Sequence, residues 1–403
     1  MPRRSTASSP LTETEEQAIV QRVRNQLADS PWACLTLTKL SGGTANFLYR
    51  GDLSKAANAV VVKVSTDYVA SNRDFPLDVT RCNFENSMLS ALDGFPRTIS
   101  TPSGDTIVKA PRIYFFDQEM HIQILEYFPA TTDLTTILES PSVELTLPGS
   151  SPTSIGQAIG SWLRFFHNWT SEPAQNALSA EVGPNKGMRQ LKCLITYDSF
   201  IEILERHPET IEGHRDTLQA AKEAMKHEFA RLPTKDEDEI RGLIHGDFWG
   251  GNVLLPDRKW QDSQGGNEIF IIDWENIQFG HRAVDVGGIL ADFYERYHFK
   301  DITTSLSAME GFIQGYGKLS EELAFRAAIH AGVHLICWYY RRDRNAPLPY
   351  PLPKVLAALT TGRDLILKGW AKDKSGLQKS ILASLFKDEN LIRTVGNDAR
   401  RQE

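Results

Sequence analysis

The segment LIHGDFWGGNVLL at residues 243–255 constrains the fold of this chain more than any other stretch. Two apolar runs flank a polar centre that holds His245, Asp247 and Asn252 around a Gly-Gly pair. A core strand has no place for such a centre, because each buried polar group would need a partner of its own. The pattern therefore predicts a functional loop that the flanking apolar runs hold in a fixed position.

Four further features accompany this loop in a defined order along the chain. They are a Gly-Gly turn at Gly42 and Gly43, Lys63 inside the apolar strand VVVKVS, Glu85 on a predicted helix, and Asp273-Trp274-Glu275 at the end of the apolar run IFIID. Each alone has an ordinary explanation, since a lysine among valines usually points to solvent and an aspartate at a strand end usually belongs to a turn. Together they indicate one site.

Phosphoryl transfer is the chemistry that requires such a set. Its transition state spreads negative charge over the phosphoryl oxygens, so the protein must hold cations in fixed positions. Mg²⁺ prefers hard oxygen ligands, which Asp273 and Asn252 can supply, with Glu275 as a further carboxylate of the metal shell. Lys63 is placed to bind the α- and β-phosphates of ATP, and Glu85 to pair with its ammonium.

The two remaining features complete this interpretation. The Gly42–Gly43 turn allows the backbone to approach the phosphates more closely than a Cβ would permit. Asp247 lies five residues before Asn252, where it can accept the proton of an incoming hydroxyl and orient that hydroxyl. The sequence thus predicts transfer from Mg²⁺-bound ATP to a hydroxyl group, with Asp247 as the catalytic base.

The order of apolar patterns predicts an α+β chain with two lobes. Residues 1–12 are expected to form a disordered tail, and residues 13–128 a small β-rich N-lobe in which strands surround one helix. Residues 129–403 are expected to form a larger, mainly helical C-lobe that carries the catalytic and metal loops. Within it, the Pro- and Ser-rich residues 141–154 are predicted to form a loop, and residues 185–207 a helical stretch.

Composition limits the classes of binding partner and the cellular compartment that the sequence predicts. The 403 residues carry a net charge of −7, whereas nucleic-acid-binding surfaces are basic, so no nucleic-acid partner is expected. Nor is a membrane expected, because no run approaches the roughly 18 apolar residues of a spanning helix. The four cysteines form no C-x-x-C pair, which favours a reducing compartment and predicts a cytoplasmic location.

These segments resemble the aminoglycoside phosphotransferase and choline kinase-like superfamily, whose members are small-molecule kinases with a protein-kinase-like, two-lobed fold. The resemblance covers about residues 35–345 and is greatest to methylthioribose kinase and to fungal small-metabolite kinases such as the psilocybin-pathway 4-hydroxytryptamine kinase. The segments that carry it are KLSGGTANFLYR, PRIYFFDQEMHIQILEYF, HGDFWGGNVLL and EIFIIDWENIQFGHRAVDVGGILADFY.

The resemblance also implies roles for residues outside the predicted site. The family's hinge, whose backbone takes the adenine edge, matches Glu126, Tyr127 and Phe128. Asp285 matches an aspartate that braces the catalytic loop, and we place His245 in the same structural role. Arg341 and Arg342 are similar to a twin arginine that contacts substrate in methylthioribose kinase. A homodimer is an expectation that rests on this analogy alone.

The acceptor is left open among several classes of small molecule. An acceptor pocket is expected between the catalytic loop and the C-terminal helices, with Trp249, Trp274, Trp338 and Tyr339 as candidate lining residues that ordinary core packing explains equally well. Aromatic lining favours an aromatic or alicyclic alcohol, and the arginine pair favours a polyol or an anionic group. Sugars, amino alcohols and phenols are all compatible with this pattern.

Two alternatives have their own sequence tests. Nine residues separate Glu275 from Asp285, which leaves no room for an activation loop and disfavours a protein substrate. A catalytically silent pseudokinase or scaffold would be expected to lack at least one of the four residues that the reaction needs most, and the chain retains all four: Lys63, Asp247, Asn252 and Asp273.

Overall fold

The computed structural model describes residues 11–42, 44–55, 58–95, 98–101, 104–231, 240–261, 266–337 and 348–387. Within these ranges the chain forms a β-rich N-terminal part and a larger, mainly helical C-terminal part. The predicted α+β, two-lobed, protein-kinase-like architecture is therefore confirmed. None of the described helices combines the length and the apolar character that crossing a bilayer would require.

The described strands are β1 (Cys34–Lys39), β2 (Phe47–Leu53), β3 (Ala59–Val64), β4 (Tyr68–Val69), β5 (Asn72–Pro76), β6 (Thr98–Thr101), β7 (Gly104–Lys109), β8 (Ile113–Asp117), β9 (Ile122–Glu126), β10 (Thr131–Asp133), β11 (Arg241–Ile244), β12 (Val253–Pro256), β13 (Asn267–Ile271) and β14 (Gln278–His281). The described helices are α1 (Glu13–Leu27), α2 (Arg81–Leu92), α3 (Leu134–Glu139), α4 (Val143–Thr146), α5 (Ser151–Trp169), α6 (Asn176–Val182), α7 (Lys186–Ile195), α8 (Phe200–Leu204), α9 (Arg215–Ala230), α10 (Ala283–Lys300), α11 (Thr303–Tyr316), α12 (Glu321–Cys337), α13 (Leu352–Trp370) and α14 (Lys374–Leu377).

The first sheet positions Lys63. Its strands follow the order β1-β2-β3-β9-β8, and all neighbouring pairs are antiparallel. Successive side chains of a strand point to opposite faces, so Val60, Val62 and Val64 pack into the core shared with α1. Lys63 lies on the other face of β3, which is turned towards α2 and the rest of the site.

The second sheet positions two segments: residues 245–252, which we call the catalytic loop, and residues 273–275, which we call the metal segment. Its strands follow the order β10-β12-β13-β7-β6, with β13 parallel to β7. The hairpin β6–β7 precedes residue 128 in sequence, yet β7 pairs with β13, which in turn pairs with β12, the strand that follows the catalytic loop. Strand β7 therefore ties the first third of the chain directly to β13, which ends two residues before Asp273.

Helix α5 packs against both the catalytic loop and α11, and its packing against α11 is very close. A Cβ added at Gly156 would lie 2.1 Å from the carbonyl oxygen of Ala308, so these two backbones are in direct contact. Trp162 of α5 stacks on Phe248 of the catalytic loop with ring centroids 6.4 Å apart. It also meets Trp274 edge-to-face at 6.0 Å.

The structure differs from the sequence predictions in local ways. The Pro- and Ser-rich residues 141–154 are not a continuous loop, because α4 lies within them and α5 already begins at Ser151. Pro152 is compatible with this start, since the first-turn backbone N–H groups of a helix have no partner within the helix. The predicted helical stretch at 185–207 is divided into α7 and α8.

Candidate active site

Lys63 forms the centre of a buried charge cluster. Its Nζ lies 2.8 Å from Oε2 of Glu85, 2.8 Å from Oδ1 of Asp273 and 3.7 Å from Oε2 of Glu275. Burial alone would lower the pKa of Lys63, but Asp273 and Glu85 raise it above its ordinary value, so the ammonium is charged. The structure therefore brings together the strand, helix and metal segments that the sequence assigned to one site.

Glu85 joins α2 to the metal segment in two ways. Its Oε1 accepts hydrogen bonds from the Lys63 ammonium at 2.9 Å and from the backbone N–H of Trp274 at 3.1 Å. Burial raises the pKa of Glu85 to about 7, although the positive charge of Lys63 opposes the rise. The ionised form of Glu85 is therefore stabilised by the Lys63 ammonium, which offsets part of the cost of burial.

Asp273 has the geometry of a strained functional residue. It adopts the left-handed conformation with φ of 65°, which non-glycine residues rarely adopt. Backbone strain of this kind is often found at functional sites. Its side chain is 35% exposed, whereas those of Glu85 and Glu275 are almost fully buried. Asp273 is thus the carboxylate of this cluster that a ligand from solvent can reach.

Glu275 is held by partners that sequence reasoning missed. Its Oε2 accepts hydrogen bonds from Nε of Arg81 at 3.0 Å and from Nδ2 of Asn46 at 2.7 Å. Arg81, fully buried at the start of α2, also donates to Oδ1 of Asn46 at 2.7 Å. The network links the chain just after the Gly-Gly turn to the metal segment. An arginine at the start of a helix gives no sequence signal for such a contact.

The catalytic loop holds Asp247 and Asn252 against each other. Nδ2 of Asn252 donates to the backbone oxygen of Asp247 at 2.9 Å and lies 3.4 Å from its Oδ2. This orientation turns the amide nitrogen of Asn252 towards Asp247 and leaves its side-chain oxygen for other ligands. The backbone oxygen of Asn252 accepts from Ile272 at 3.0 Å, so the loop and the metal segment are hydrogen-bonded neighbours.

A second missed residue, Lys192 on α7, lies beside Asp247. Its Nζ is 3.1 Å from Oδ1 of Asp247, and the Lys192 side chain is only 7% exposed. The sequence offered no signal for it, because a lysine on an amphipathic helix is usually solvated. The base of the predicted reaction thus lies beside a buried ammonium.

Asp285 braces the turn before Asp247. Its two carboxylate oxygens accept the backbone N–H groups of His245 at 2.8 Å and Gly246 at 2.9 Å, and one of them also lies 3.1 Å from Nε2 of His167. Burial lowers the pKa of His167, although the neighbouring Asp285 carboxylate opposes this, and Nδ1 of His167 lies 2.9 Å from the Tyr316 hydroxyl oxygen. Nε2 of His245 lies 3.0 Å from the backbone oxygen of Ile272, which further fixes the loop.

Replacing Asp285 with alanine is expected to lower kcat by at least tenfold with little change in the KM for ATP. The substitution leaves two buried backbone N–H groups without their acceptor, and each such group costs about 1–3 kcal/mol, so the loop shifts. Steady-state kinetics and thermal unfolding measure both effects. Asp373→Ala is the control, because Asp373 accepts one backbone N–H at an exposed helix start; equal effects of the two substitutions would contradict the bracing role.

The predicted hinge lies at the end of β9. Glu126 pairs with Lys109 at 2.9 Å, Arg50 lies over the ring of Tyr127, and Phe128 stacks on Phe270 with centroids 3.9 Å apart. Gly42 has φ of 100°, and a Cβ there would meet no atom within 4 Å. A turn with positive φ and open space suits the approach of a ligand. Gly43 lies outside the described residues.

The candidate acceptor residues are placed only in part. Trp249 in the catalytic loop is half-buried. Trp274 is fully buried and its indole N–H donates to Ile271 at 3.0 Å, so it is a core residue. The other candidates lie outside the described residues: Trp338, Tyr339, Arg341 and Arg342.

The charge balance of the cluster suits a divalent cation. Among the residues that the structure describes, two cations, Lys63 and Arg81, face the carboxylates of Glu85, Asp273 and Glu275. Mg²⁺ in kinase sites is bound by one or two protein ligands together with substrate phosphates and water. Asp273 and the side-chain oxygen of Asn252 fit that donor set, whereas no group of three or more His, Cys, Asp or Glu side chains in the described ranges forms a complete metal cage.

Comparison with known proteins gives four informative matches. The sequence model of the phosphotransferase enzyme family matches residues 55–327. Phosphotransferase FrzJ from a Cladobotryum species is 27% identical over 388 residues, which cover 93% of this chain and 98% of that relative. The 4-hydroxytryptamine kinase of Psilocybe cubensis is 22% identical and covers 74% of this chain and 79% of the relative. The solved structure of amicoumacin kinase hAmiN in complex with AMP-PNP, Ca²⁺ and Ami has a TM-score of 0.50 at 14% identity, and the match covers 93% of this chain and 100% of that chain.

Proposed function

The chain belongs to the phosphotransferase enzyme family, and from that premise we propose that it transfers the γ-phosphate of Mg²⁺-bound ATP to a hydroxyl group of a small metabolite. The observation that carries this proposal is the convergence on Lys63. Two segments distant in sequence, helix α2 and residues 273–275, place Glu85, Asp273 and Glu275 around its ammonium, while Asp247 and Asn252 lie on the adjoining loop. Phosphoryl transfer uses these groups for positioning and for charge stabilisation.

On the nucleotide side, Lys63 binds the α- and β-phosphates, and Glu85 keeps its ammonium in place. The backbone at residues 126–128 takes the adenine edge, and the Gly42 turn lies over the phosphates. Asp273 and Asn252 hold Mg²⁺, which when bound neutralises phosphate charge. The amicoumacin kinase structure, whose complex contains AMP-PNP and Ca²⁺, supports a nucleotide and a divalent cation as the bound partners.

On the acceptor side, Asp247 orients the attacking hydroxyl and takes up its proton. In the balanced reaction, the hydroxyl oxygen forms a bond to the γ-phosphorus, the bond to the bridging oxygen of ADP breaks, and the proton passes to Asp247 and later to solvent. Asp285 and His245 hold the catalytic loop in position. The half-buried Trp249 lies beside Asp247 in the loop, where it can contact an aromatic acceptor.

Phenols are the first acceptor class to test. Two curated relatives are named 4-hydroxytryptamine kinase, and the aromatic residue in the catalytic loop is compatible with a flat ring. We also propose a cytoplasmic location, because Cys34, Cys82, Cys193 and Cys337 all carry free thiols, which suits a reducing compartment where ATP is available.

An ATP-depletion screen tests the proposed function. The library contains phenols including 4-hydroxytryptamine, sugars including methylthioribose, and amino alcohols including choline and ethanolamine, and mass spectrometry detects any product that is heavier by one phosphoryl group. We expect Mg²⁺-dependent ADP formation that depends on one acceptor class. A protein that fails to bind MgATP by calorimetry would contradict the proposal.

A further inference from the structure

Lys192 supplies a second buried cation, on the acceptor side of the site. Within the described residues, the carboxylate in contact with its ammonium is that of Asp247, at 3.1 Å. Lysines are almost never buried to this degree without a partner. The Asp247 side chain is 35% exposed, and an ion pair with a partly exposed partner contributes little to stability. A role in the reaction is therefore a stronger explanation than a role in folding.

The helix that carries Lys192 is anchored to the metal segment. Nδ2 of Asn185, which caps α7, donates to the backbone oxygens of Glu275 at 3.0 Å and Ile277 at 2.9 Å. Lys192 follows Asn185 by seven residues, about two helical turns, and so lies on the same face of α7. One rigid helix face thus contacts both the metal segment and the catalytic loop.

The position of the ammonium relative to the reaction follows from these contacts. An acceptor hydroxyl that Asp247 activates must lie about 2.6–3.2 Å from a carboxylate oxygen. Since the Lys192 ammonium lies 3.1 Å from Oδ1 of that carboxylate, a hydroxyl that binds Oδ1 places the attacking oxygen within about 6 Å of the ammonium. The γ-phosphoryl group must approach the same oxygen during transfer, and its own oxygens carry the developing negative charge.

We propose, on the basis of the proposed function, that Lys192 is a catalytic residue that binds the γ-phosphoryl group in transit. Before transfer its ammonium pairs with the Asp247 carboxylate. When the hydroxyl proton passes to Asp247, that carboxylate becomes neutral and the ammonium pairs with the phosphoryl oxygens instead. Lys63 and Lys192 then hold opposite sides of the transferred group: Lys63 acts on the ADP side and Lys192 on the acceptor side.

The test measures binding of a transition-state mimic and needs no acceptor. Calorimetry gives the affinity for MgADP alone and for MgADP with aluminium fluoride, which takes the place of the γ-phosphoryl group. We expect aluminium fluoride to tighten binding to the wild-type protein, and we expect Lys192→Met to lose about 10²-fold of that tightening, the size of effect seen when one stabilising donor is removed. MgADP affinity should change less than twofold, and Lys192→Arg should retain part of the tightening.

The matched control is Arg189→Met on the same helix. Arg189 is a buried cation that binds the backbone oxygens of Phe229 and Arg231, so its loss perturbs α7 without touching Asp247. Affinities are calculated from the concentration of nucleotide-binding sites that calorimetry itself measures. A variant of which only a part is folded therefore still gives a usable affinity. Equal tightening in Lys192→Met and wild type, or no tightening in the wild type, would overturn the role of Lys192. Absence of MgADP binding in the wild type would instead contradict the proposed function.

Discussion

Replacing Asp247 with asparagine is expected to lower kcat by roughly 10²- to 10⁴-fold while MgATP still binds. Asparagine keeps the size of the side chain but accepts no proton, so the base is lost and the loop is preserved. The nucleotide contacts proposed for Lys63 and Asp273 do not involve this carboxylate. Steady-state kinetics with the acceptor found in the screen gives kcat, and calorimetry gives the affinity for MgATP.

The control for this substitution is Asp198→Asn. Asp198 is also a partly exposed aspartate that pairs with a lysine, since its Oδ1 lies 2.8 Å from Nζ of Lys226. Its removal should leave kcat within a factor of two of wild type. An Asp247→Asn variant as active as wild type would show that the proton leaves by another route and that the catalytic loop has been misassigned.

Removal of divalent cations is expected to abolish ATP consumption. With Mg²⁺ absent, the ATP phosphates would approach the carboxylates of Asp273 and Glu275 without the divalent charge that offsets their repulsion. Treatment with EDTA followed by addition of MgCl₂ should restore the rate fully. Activity that persists in EDTA would rule out a metal-dependent reaction.

Two substitutions then identify which carboxylate holds the cation. Asp273→Asn removes the charge of the exposed carboxylate and should raise the Mg²⁺ concentration for half-maximal rate by more than tenfold. Glu275→Gln should have a smaller effect on this concentration, because Oε2 of Glu275 is already held by Arg81 and Asn46. If Glu275→Gln raises the Mg²⁺ requirement more than Asp273→Asn does, Glu275 is the main metal ligand.

The sequence predicted the parts of the site that local patterns encode. Lys63 interrupts a run of valines, and the period of two along a strand places it on the face opposite to the core valines. The interruption of an apolar run at His245 and Asp247 likewise predicted a loop held between strands. The pairing of Lys63 with Glu85 followed from chemical complementarity, and the structure places the two groups 2.8 Å apart.

Contacts between distant segments were not readable from the sequence. Lys192 lies on a helix whose pattern gives no reason to expect a buried ammonium, and Arg81 reaches Glu275 across 194 residues of chain. The strands at residues 98–109 were not predicted from the sequence, because they are short and β7 pairs with β13, more than 150 residues later. Burial of Trp274 likewise depends on α5 packing beneath the loop. Such features depend on tertiary packing, which a single sequence does not specify locally.

The central claim is that one Mg²⁺-bound nucleotide lies between Lys63 and the catalytic loop. Diffraction data at the manganese absorption edge, from crystals grown with Mn²⁺ and AMP-PNP, test it most directly. We predict an anomalous peak within about 2.0–2.3 Å of an Asp273 carboxylate oxygen and the Asn252 side-chain oxygen, distances typical of small hard cations, with Nζ of Lys63 on the phosphates. A manganese peak and nucleotide bound away from Asp273 and Lys63 would contradict the account.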